Sequence, residues 1–267
     1  MFFGKEDLFL RDTVFIDYLD YYKKLRQLHA MKRELQNLKS LCSLPKPFVV
    51  EFSGAPRTGK TTTIHNLYDF FKKGGFDVLV VEEFTSSKKY KEKLKLEFER
   101  LGLSGKDIAV MEEVYKELQE SVDSDNEIVL IDRSINDRQV WNYRRYQRGD
   151  MSQDQYQDVK DKYSKISKEL IDFLVVTYAD PLISLQRDYM CGLALEKRRF
   201  LNQENIEEYN NSLSELESLF SESVDSMLLL DTSNLDMNDV SVEVCFQILP
   251  VMREKYIESF CKKYHLK

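Results

Sequence analysis

The chain has 267 residues, a formal net charge of −7 and a pI of about 5.3, which fits one large α/β domain or one domain plus an extension. A net acidic chain lacks the basic footprint of a nucleic-acid-binding protein, and its four cysteines form no Cys-x-x-Cys pair that would indicate a zinc site or a disulfide framework. Since no run approaches the roughly 20 apolar residues that span a bilayer and the opening residues lack a signal-peptide pattern, we expect a cytoplasmic protein with no membrane or nucleic-acid partner.

The first predicted element is a helix over residues 5–42, where apolar side chains recur at steps of three, four or seven. The sequence Leu-Pro-Lys-Pro at residues 44–47 then ends it. We therefore expect an N-terminal helical extension at residues 1–45 and a main domain at residues 46–267. The apolar stripe covers few heptads, which favours packing on the main domain; the alternative is a seam between two copies in a homodimer.

Strands and helices alternate through the main domain. The predicted strands are residues 48–53, 77–83, 127–132, 171–178 and 227–231. The predicted helices are residues 61–73, 88–101, 106–122, a helical region that is interrupted near Gly149 and ends near Leu170, and residues 182–200, 206–221 and 238–264. Short strands rich in Val, Ile and Leu that alternate with helices predict an α/β fold of three layers, with a five-stranded parallel sheet covered by helices on both faces.

The segment after the first strand matches the phosphate-binding pattern G-x-x-x-x-G-K-[ST]. It consists of Gly54, Ala55, Pro56, Arg57, Thr58, Gly59, Lys60, Thr61 and Thr62. The two glycines let the backbone curl so that several N–H groups point at one phosphate. Lys60 would neutralise the β- and γ-phosphate oxygens, Thr61 would offer its hydroxyl to Mg²⁺, and Thr62 would donate to phosphate. We therefore predict a P-loop NTPase fold that binds ATP and Mg²⁺.

Arg57 stands inside this loop, directly before Thr58-Gly59-Lys60. Its guanidinium is able to reach the γ-phosphate and stabilise the charge that spreads during transfer, as an arginine finger supplied in cis does. The alternative is an arginine that is exposed to solvent, because loop side chains point either way.

Acidic residues follow the second and third strands, at the edge of the sheet where ligands bind. Glu82 and Glu83 end the second strand, which we expect to lie directly beside the P-loop strand. One of them, preferably Glu83, would accept a proton from an acceptor hydroxyl or hold it in line. Asp132 ends the third strand and is placed to hold Mg²⁺, while Arg133 would bridge the acceptor and the glutamate.

Several motifs occur in an order typical of one protein family. They are GAPRTGKTT, VVEEF, IDRSINDRQVW, the strand end Tyr178-Ala179-Asp180-Pro181 with Arg187, and the basic stretch Lys197-Arg198-Arg199. Together they resemble the deoxynucleoside kinase and thymidylate kinase group over residues 48–249. The chain departs from the group in carrying Glu-Glu-Phe where nucleoside kinases have Glu-Pro after the second strand.

The resemblance implies roles on the acceptor side. The carboxylate after the second strand, Glu83 or Glu82, would be the base for a sugar hydroxyl. Asp132 would be the metal ligand, Arg133 would contact the acceptor, and Asp137 corresponds to an acid that reads a base edge in some members.

The resemblance also implies a lid over residues about 182–200. Its arginines Arg198 and Arg199, with Arg187 as a further candidate, would close on the phosphates of ATP.

Two functions follow from these observations. The first is an ATP-dependent phosphotransferase that acts on a nucleoside, a nucleotide or a similar small acceptor, through a hydroxyl or a phosphate. The second is a regulatory P-loop NTPase that uses its N-terminal helix for interactions. The candidate lid and acceptor carboxylate favour the kinase, and the chain lacks the N/T-K-x-D motif by which guanine-specific switches select their nucleotide.

Overall fold

The structure is a computed structural model that describes residues 5–83, 112–192 and 201–266, with side chains described from residue 20 onward in the first range and to residue 189 in the second. The predicted helix at residues 88–101, the beginning of that at residues 106–122 and the end of that at residues 182–200 lie outside the described residues.

The chain divides into two compact units. One unit comprises Met1–Ser43 together with Val242–Lys267, and the other comprises Leu44–Ser241. The residues that follow Ser241 therefore group with the N-terminal helix rather than with the sheet.

The first unit contains helix α1 (Lys5–Leu41) and the C-terminal part of helix α8 (Met237–Lys263). The guanidinium of Arg253 donates to Glu34 at 2.5 Å, and Leu35 is completely buried. The apolar stripe of α1 is thus partly covered by contacts inside this unit. Although both helices are long, none in the described ranges is apolar enough over its length to cross a membrane.

The second unit contains a five-stranded sheet in which every neighbouring pair is parallel. Its strands are β1 (Phe48–Gly54), β2 (Val78–Val81), β3 (Ile128–Asp132), β4 (Phe173–Tyr178) and β5 (Met227–Asp231). Its helices are α2 (Lys60–Lys72), α3 (112–122), α4 (Ile135–Gln147), α5 (Gln153–Leu170), α6 (Pro181–Gly192) and α7 (Gln203–Ser223). The strand order is β2-β3-β1-β4-β5.

Helices cover both faces of this sheet, as the sequence predicts. Side chains alternate along a strand, so Val49 faces one side, where it joins buried residues of α3, α4, α5 and α7. Val50 and Phe52 face the other side, where α2 packs against β1, β2 and β3 with its buried Ile64 and Leu67. The three-layer α/β architecture, with an additional N-terminal helix, is confirmed.

The position of β2 differs from the sequence prediction. We expected β2 beside the P-loop strand, but β3 lies between them and pairs with β1 from Phe48↔Ile128 to Phe52↔Asp132. The hydrophobic periodicity of a strand indicates which of its faces is buried, but not which strand lies beside it. The sequence therefore did not predict the strand order. β2 is also shorter than predicted, because its pairing with β3 ends at Val81, and Glu82 and Glu83 follow the strand instead of ending it.

Candidate active site

The loop between β1 and α2 folds as the phosphate-binding pattern requires. Gly54 has φ of 138°, and a Cβ atom there would lie 2.0 Å from the carbonyl oxygen of Thr177 on β4. Gly59 has φ of 93°, and a Cβ atom there would lie 2.7 Å from the sulfur of Met237. Both positions have a left-handed backbone that strains other residues, and at Gly54 the backbone of Thr177 also leaves no room for a Cβ atom. The two glycines thus permit the tight curl of the loop.

Lys60 begins α2, and its side chain is buried in the loop. Its Nζ donates to the carbonyl oxygens of Gly54 at 3.0 Å and Ala55 at 2.7 Å. Burial and, to a smaller extent, the nearby charge of Arg133 together lower the pKa of Lys60 to about 7. An anion bound at the N-terminus of α2 would balance the positive charge of Lys60. It would also accept hydrogen bonds from the N–H groups of the first turn, which have no acceptor inside the helix.

The remaining loop residues divide between the cleft and the interior. Pro56, Thr61 and Thr62 line the cleft described below. Thr58 is buried, and its hydroxyl donates to the carbonyl oxygen of Ala55 at 2.9 Å. Thr58 therefore stabilises the loop from inside.

Thr61 and Asp132 form the candidate magnesium site. The Thr61 hydroxyl donates to Oδ2 of Asp132 at 2.5 Å. Hydroxyl and carboxylate oxygens suit Mg²⁺, which is usually held by one or two carboxylates together with substrate phosphates and water. The described residues contain no group of three or more His, Cys, Asp or Glu side chains that would form a cage. The residues present therefore fit a magnesium ion that is shared with a bound nucleotide.

Arg57 makes an ion pair with a helix across the loop. Its Nε and Nη2 atoms both lie 2.6 Å from Oδ1 of Asp188 on α6. Its backbone has φ of 62°, a conformation that is uncommon outside glycine. The Arg57 side chain is therefore held by Asp188 instead of being free in solvent. It lines the same cleft as Pro56, Thr61 and Thr62.

Arg133 and Glu83 face each other on the side of the cleft away from α6. The Arg133 side chain is only 14% exposed, and its Nε lies 4.0 Å from Oε2 of Glu83. Burial opposes its charge, but the carboxylate of Asp137 and other nearby anions raise the pKa of Arg133 above its usual value. Glu83 lines the cleft, whereas Glu82 is exposed outside it. Of the two glutamates, Glu83 is thus the one that faces the cleft, and its role as the acceptor carboxylate stays a prediction.

Asp137 is buried one helical turn beyond Arg133, and both of its oxygens have partners. Oδ2 accepts from Arg133 at 3.2 Å and from Trp141 Nε1 at 3.1 Å, and Oδ1 accepts from Tyr209 at 2.5 Å and from Ser53 at 3.3 Å. Burial alone would raise the pKa of Asp137, but Arg133 and the Tyr209 hydroxyl hold it below its usual value. In this structure Asp137 anchors Arg133 and has no oxygen left over for a base edge.

The lid arginines are only partly within the described residues. Arg187 on α6 donates to the Thr232 hydroxyl at 3.1 Å and to the carbonyl oxygens of Thr232 at 2.5 Å and Leu235 at 3.1 Å. These contacts tie it to the segment after β5 and leave it at the wall of the cleft. Arg198 and Arg199 lie outside the described residues, and their role stays a prediction.

One cleft of about 740 Å³ brings these groups together at the carboxyl ends of the strands. Its lining includes Lys60 and Thr61 at the start of α2, Asp132 at the end of β3, Arg133 directly after it, and Glu83 after β2. Ligands of open α/β sheets bind at this edge. The cleft is large enough for a small-molecule ligand.

Three contributors were missed by the sequence analysis: Glu51, Asp188 and Tyr209. Glu51 is the one acid in the apolar strand FVVEFSG. An acid in a buried strand is a recognisable signal, because a buried carboxylate needs hydrogen-bond partners. Asp188 is one acid on a helix of mixed polarity, and Tyr209 is one of the buried apolar positions of α7, so nothing local distinguishes either residue.

The fold is that of the P-loop kinases of nucleosides. A deoxyadenosine kinase from M. mycoides, whose structure contains bound dATP, superposes with a TM-score of 0.51 at 16% sequence identity, and the match covers 76% of this chain and 100% of that one. No protein-family model matches the sequence, and a search of curated proteins finds no match. The resemblance noted from the sequence motifs is therefore confirmed at the level of fold: the chain has a P-loop deoxynucleoside kinase-like fold.

Proposed function

We propose that this protein is an ATP-dependent phosphotransferase that acts on a nucleoside, a nucleotide or a similar small acceptor. The observation that carries the proposal is the meeting, in one cleft, of the P-loop with Thr61, Asp132, Arg133 and Glu83. Glu83 and Arg133 lie beyond the phosphate loop in the same cleft, where a phosphoryl acceptor would be held in line with the γ-phosphate.

The loop would bind the phosphates of ATP through its backbone N–H groups and the start of α2. Lys60 would exchange the carbonyl oxygens of Gly54 and Ala55 for phosphate oxygens. Bound Mg²⁺, held by Thr61 and Asp132, would neutralise charge on the phosphates.

The acceptor would bind in the cleft beside the Glu83–Arg133 pair. Its oxygen forms the new bond to the γ-phosphorus while the bond to the β–γ bridging oxygen breaks and ADP leaves. If the acceptor is a hydroxyl, its proton passes to the Glu83 carboxylate. If the acceptor is a phosphate, the attacking oxygen is already ionised. Arg133 would then contribute more to the rate than Glu83, by orienting the acceptor phosphate.

Phosphoryl transfer from radiolabelled ATP tests this proposal directly. Deoxyadenosine is the first hydroxyl acceptor to use because the structural neighbour is a deoxyadenosine kinase, and deoxyadenosine monophosphate is the matched phosphate acceptor. Label in the product of either acceptor supports the proposal and decides between a hydroxyl and a phosphate. Release of inorganic phosphate alone, at a rate that no acceptor in a wider nucleoside panel changes, would instead favour a regulatory NTPase.

A further inference from the structure

A carboxylate is buried in the middle of the P-loop strand. Glu51 is fully buried on β1, and its Oε1 accepts from the backbone N–H groups of Ser134 at 3.0 Å, Asn136 at 2.8 Å and Asp137 at 3.2 Å. Its Oε2 accepts from the side-chain amide of Asn136 at 2.9 Å. These donors belong to the cap residue Ser134 and to the first turn of α4. A single side chain of β1 therefore fixes the beginning of the helix that follows β3.

Helix α4 needs such a partner because the first N–H groups of a helix have no acceptor inside it. Ser134 occupies the cap position, but its side chain makes no capping hydrogen bond. Glu51 supplies the acceptor oxygens from outside the helix. The carboxylate therefore determines where α4 begins.

The residue directly before this cap is Arg133. Its backbone has φ of 62°, and its N–H donates to the carbonyl oxygen of Phe52 at 2.9 Å, next to Glu51 on β1. The conformation of the turn aims the guanidinium at Glu83 and Asp137. Any shift in the start of α4 would move this arginine along with Asp137.

We propose that Glu51, paired with Asn136, is a positioning residue that sets the β3–α4 turn and thereby holds Arg133 at the acceptor side of the cleft. The inference rests on the proposed function, since it explains how the same cleft is aligned. Glu51 does not line the cleft and touches no reacting group; it acts through the backbone of the turn.

Asn136 extends the contact into α5. Its amide nitrogen also donates to the hydroxyl of Ser167 at 2.9 Å, and its oxygen accepts from Gln139 at 3.1 Å. The pair thus has a defined polarity, with an acid on β1 and an amide on α4. Exchanging the acid and the amide would reverse the direction of this hydrogen bond but keep a donor opposite an acceptor, since the amide of residue 51 would then donate to a carboxylate at residue 136.

Three variants separate positioning from bulk stability. In E51Q the new NH₂ group is a donor that faces another donor, either the amide of Asn136 or the backbone N–H groups at the start of α4. The lost hydrogen bonds should disturb the turn. E51Q/N136D restores a donor opposite an acceptor. D172N is the matched control, because Asp172 is also a buried carboxylate that accepts a backbone N–H of β1, from Val49 at 2.8 Å, but at the other end of the strand.

Trp141 is a built-in reporter of the turn. It is the single tryptophan of the chain, lies on α4 and donates to Asp137. Its fluorescence therefore follows the geometry of this helix without any need for turnover. Transfer to deoxyadenosine and calorimetric affinity for Mg·ATP are measured on the same proteins.

We expect E51Q to shift the Trp141 emission of the folded protein and to lower turnover on deoxyadenosine by about 10²-fold, while the Kd for Mg·ATP changes less than about threefold. E51Q/N136D should recover both signals, and D172N should change neither. The inference is overturned if E51Q leaves Trp141 emission as in the wild type, or if D172N reproduces the E51Q effects. If the wild type neither binds Mg·ATP nor transfers phosphate, the proposed function fails, and the Trp141 comparison still decides whether Glu51 sets the turn.

Discussion

The hydroxyl of Thr61 lies 2.5 Å from the carboxylate of Asp132, although 71 positions separate the two residues. The contact exists because β3 pairs directly with β1, which brings the end of β3 beside the first turn of α2. Had β2 been the neighbour of β1, Asp132 would lie one strand further away. The strand order that the sequence did not predict is therefore what assembles the candidate magnesium site.

D132N tests that site. Replacing the carboxylate with an amide keeps the shape but removes the negative charge that would attract Mg²⁺, so we expect turnover to fall at least about tenfold and to need more Mg²⁺ for half-maximal rate. Initial rates across a Mg²⁺ titration measure both effects. D231N is the control because Asp231 also ends a strand of the sheet but does not line this cleft. An unchanged Mg²⁺ requirement in D132N would remove Asp132 from the metal site.

The ion pair of Arg57 with Asp188 distinguishes two roles for the loop arginine. If Arg57 acts on the γ-phosphate, R57A should lower turnover about tenfold or more, whereas D188N, which releases the arginine toward the nucleotide, should keep turnover and bind Mg·ATP at least as tightly. Steady-state rates and calorimetry on both variants provide the comparison. If D188N loses as much activity as R57A, the arginine serves to hold α6 and not to stabilise the transferred phosphate.

Glu83 and Glu82 form a natural matched pair, because one lines the cleft and its neighbour does not. For a hydroxyl acceptor we expect E83Q to reduce turnover roughly 10²–10⁴-fold, the usual range for a general base, with nearly unchanged ATP affinity. E82Q should behave as the wild type. Full activity of E83Q on deoxyadenosine would rule out Glu83 as a general base. On a phosphate acceptor, E83Q should lower turnover only slightly, because no proton has to be removed.

The parts of this protein that the sequence predicts are those with a local signal. The P-loop is recognisable because its glycines, Lys60 and Thr61 all fall within the short segment Gly54–Thr61, and Asp132 because it directly follows an apolar run. The cap that Glu51 provides, and the hydrogen bond from Tyr209 to Asp137, depend on which strands and helices become neighbours. Pairing between distant segments leaves no periodicity in either segment, so these contacts appear only in the folded structure.

The buried carboxylate of Glu51 should also give stability a pH dependence. Burial raises its pKa to about 7 in the folded protein from an ordinary value of 4.5, although four N–H donors oppose the shift. The folded state therefore binds this proton more tightly than the unfolded chain, so the stabilisation is fully present below pH 4.5 and is lost as the pH rises through about 7.

Urea unfolding from about pH 5 to about pH 8 measures this effect. The free energy of unfolding of the wild type should fall more steeply than that of E51Q, by on the order of 3 kcal/mol across this range. Asp137 does not contribute there, because Arg133 and Tyr209 keep its pKa low. Parallel pH profiles for the two proteins would mean that Glu51 does not titrate in this window.

The central claim is that the P-loop binds ATP for transfer, and calorimetry of Mg·ATP with the wild type and K60A tests it most directly. K72A is the matched control, since Lys72 lies at the other end of the same helix and donates to Asp77 instead of the loop. We predict that the wild type and K72A bind Mg·ATP with similar affinity, while K60A stays folded and binds at least about tenfold more weakly, since it lacks the charge that faces the phosphates. Equal affinity of K60A and the wild type would contradict the account.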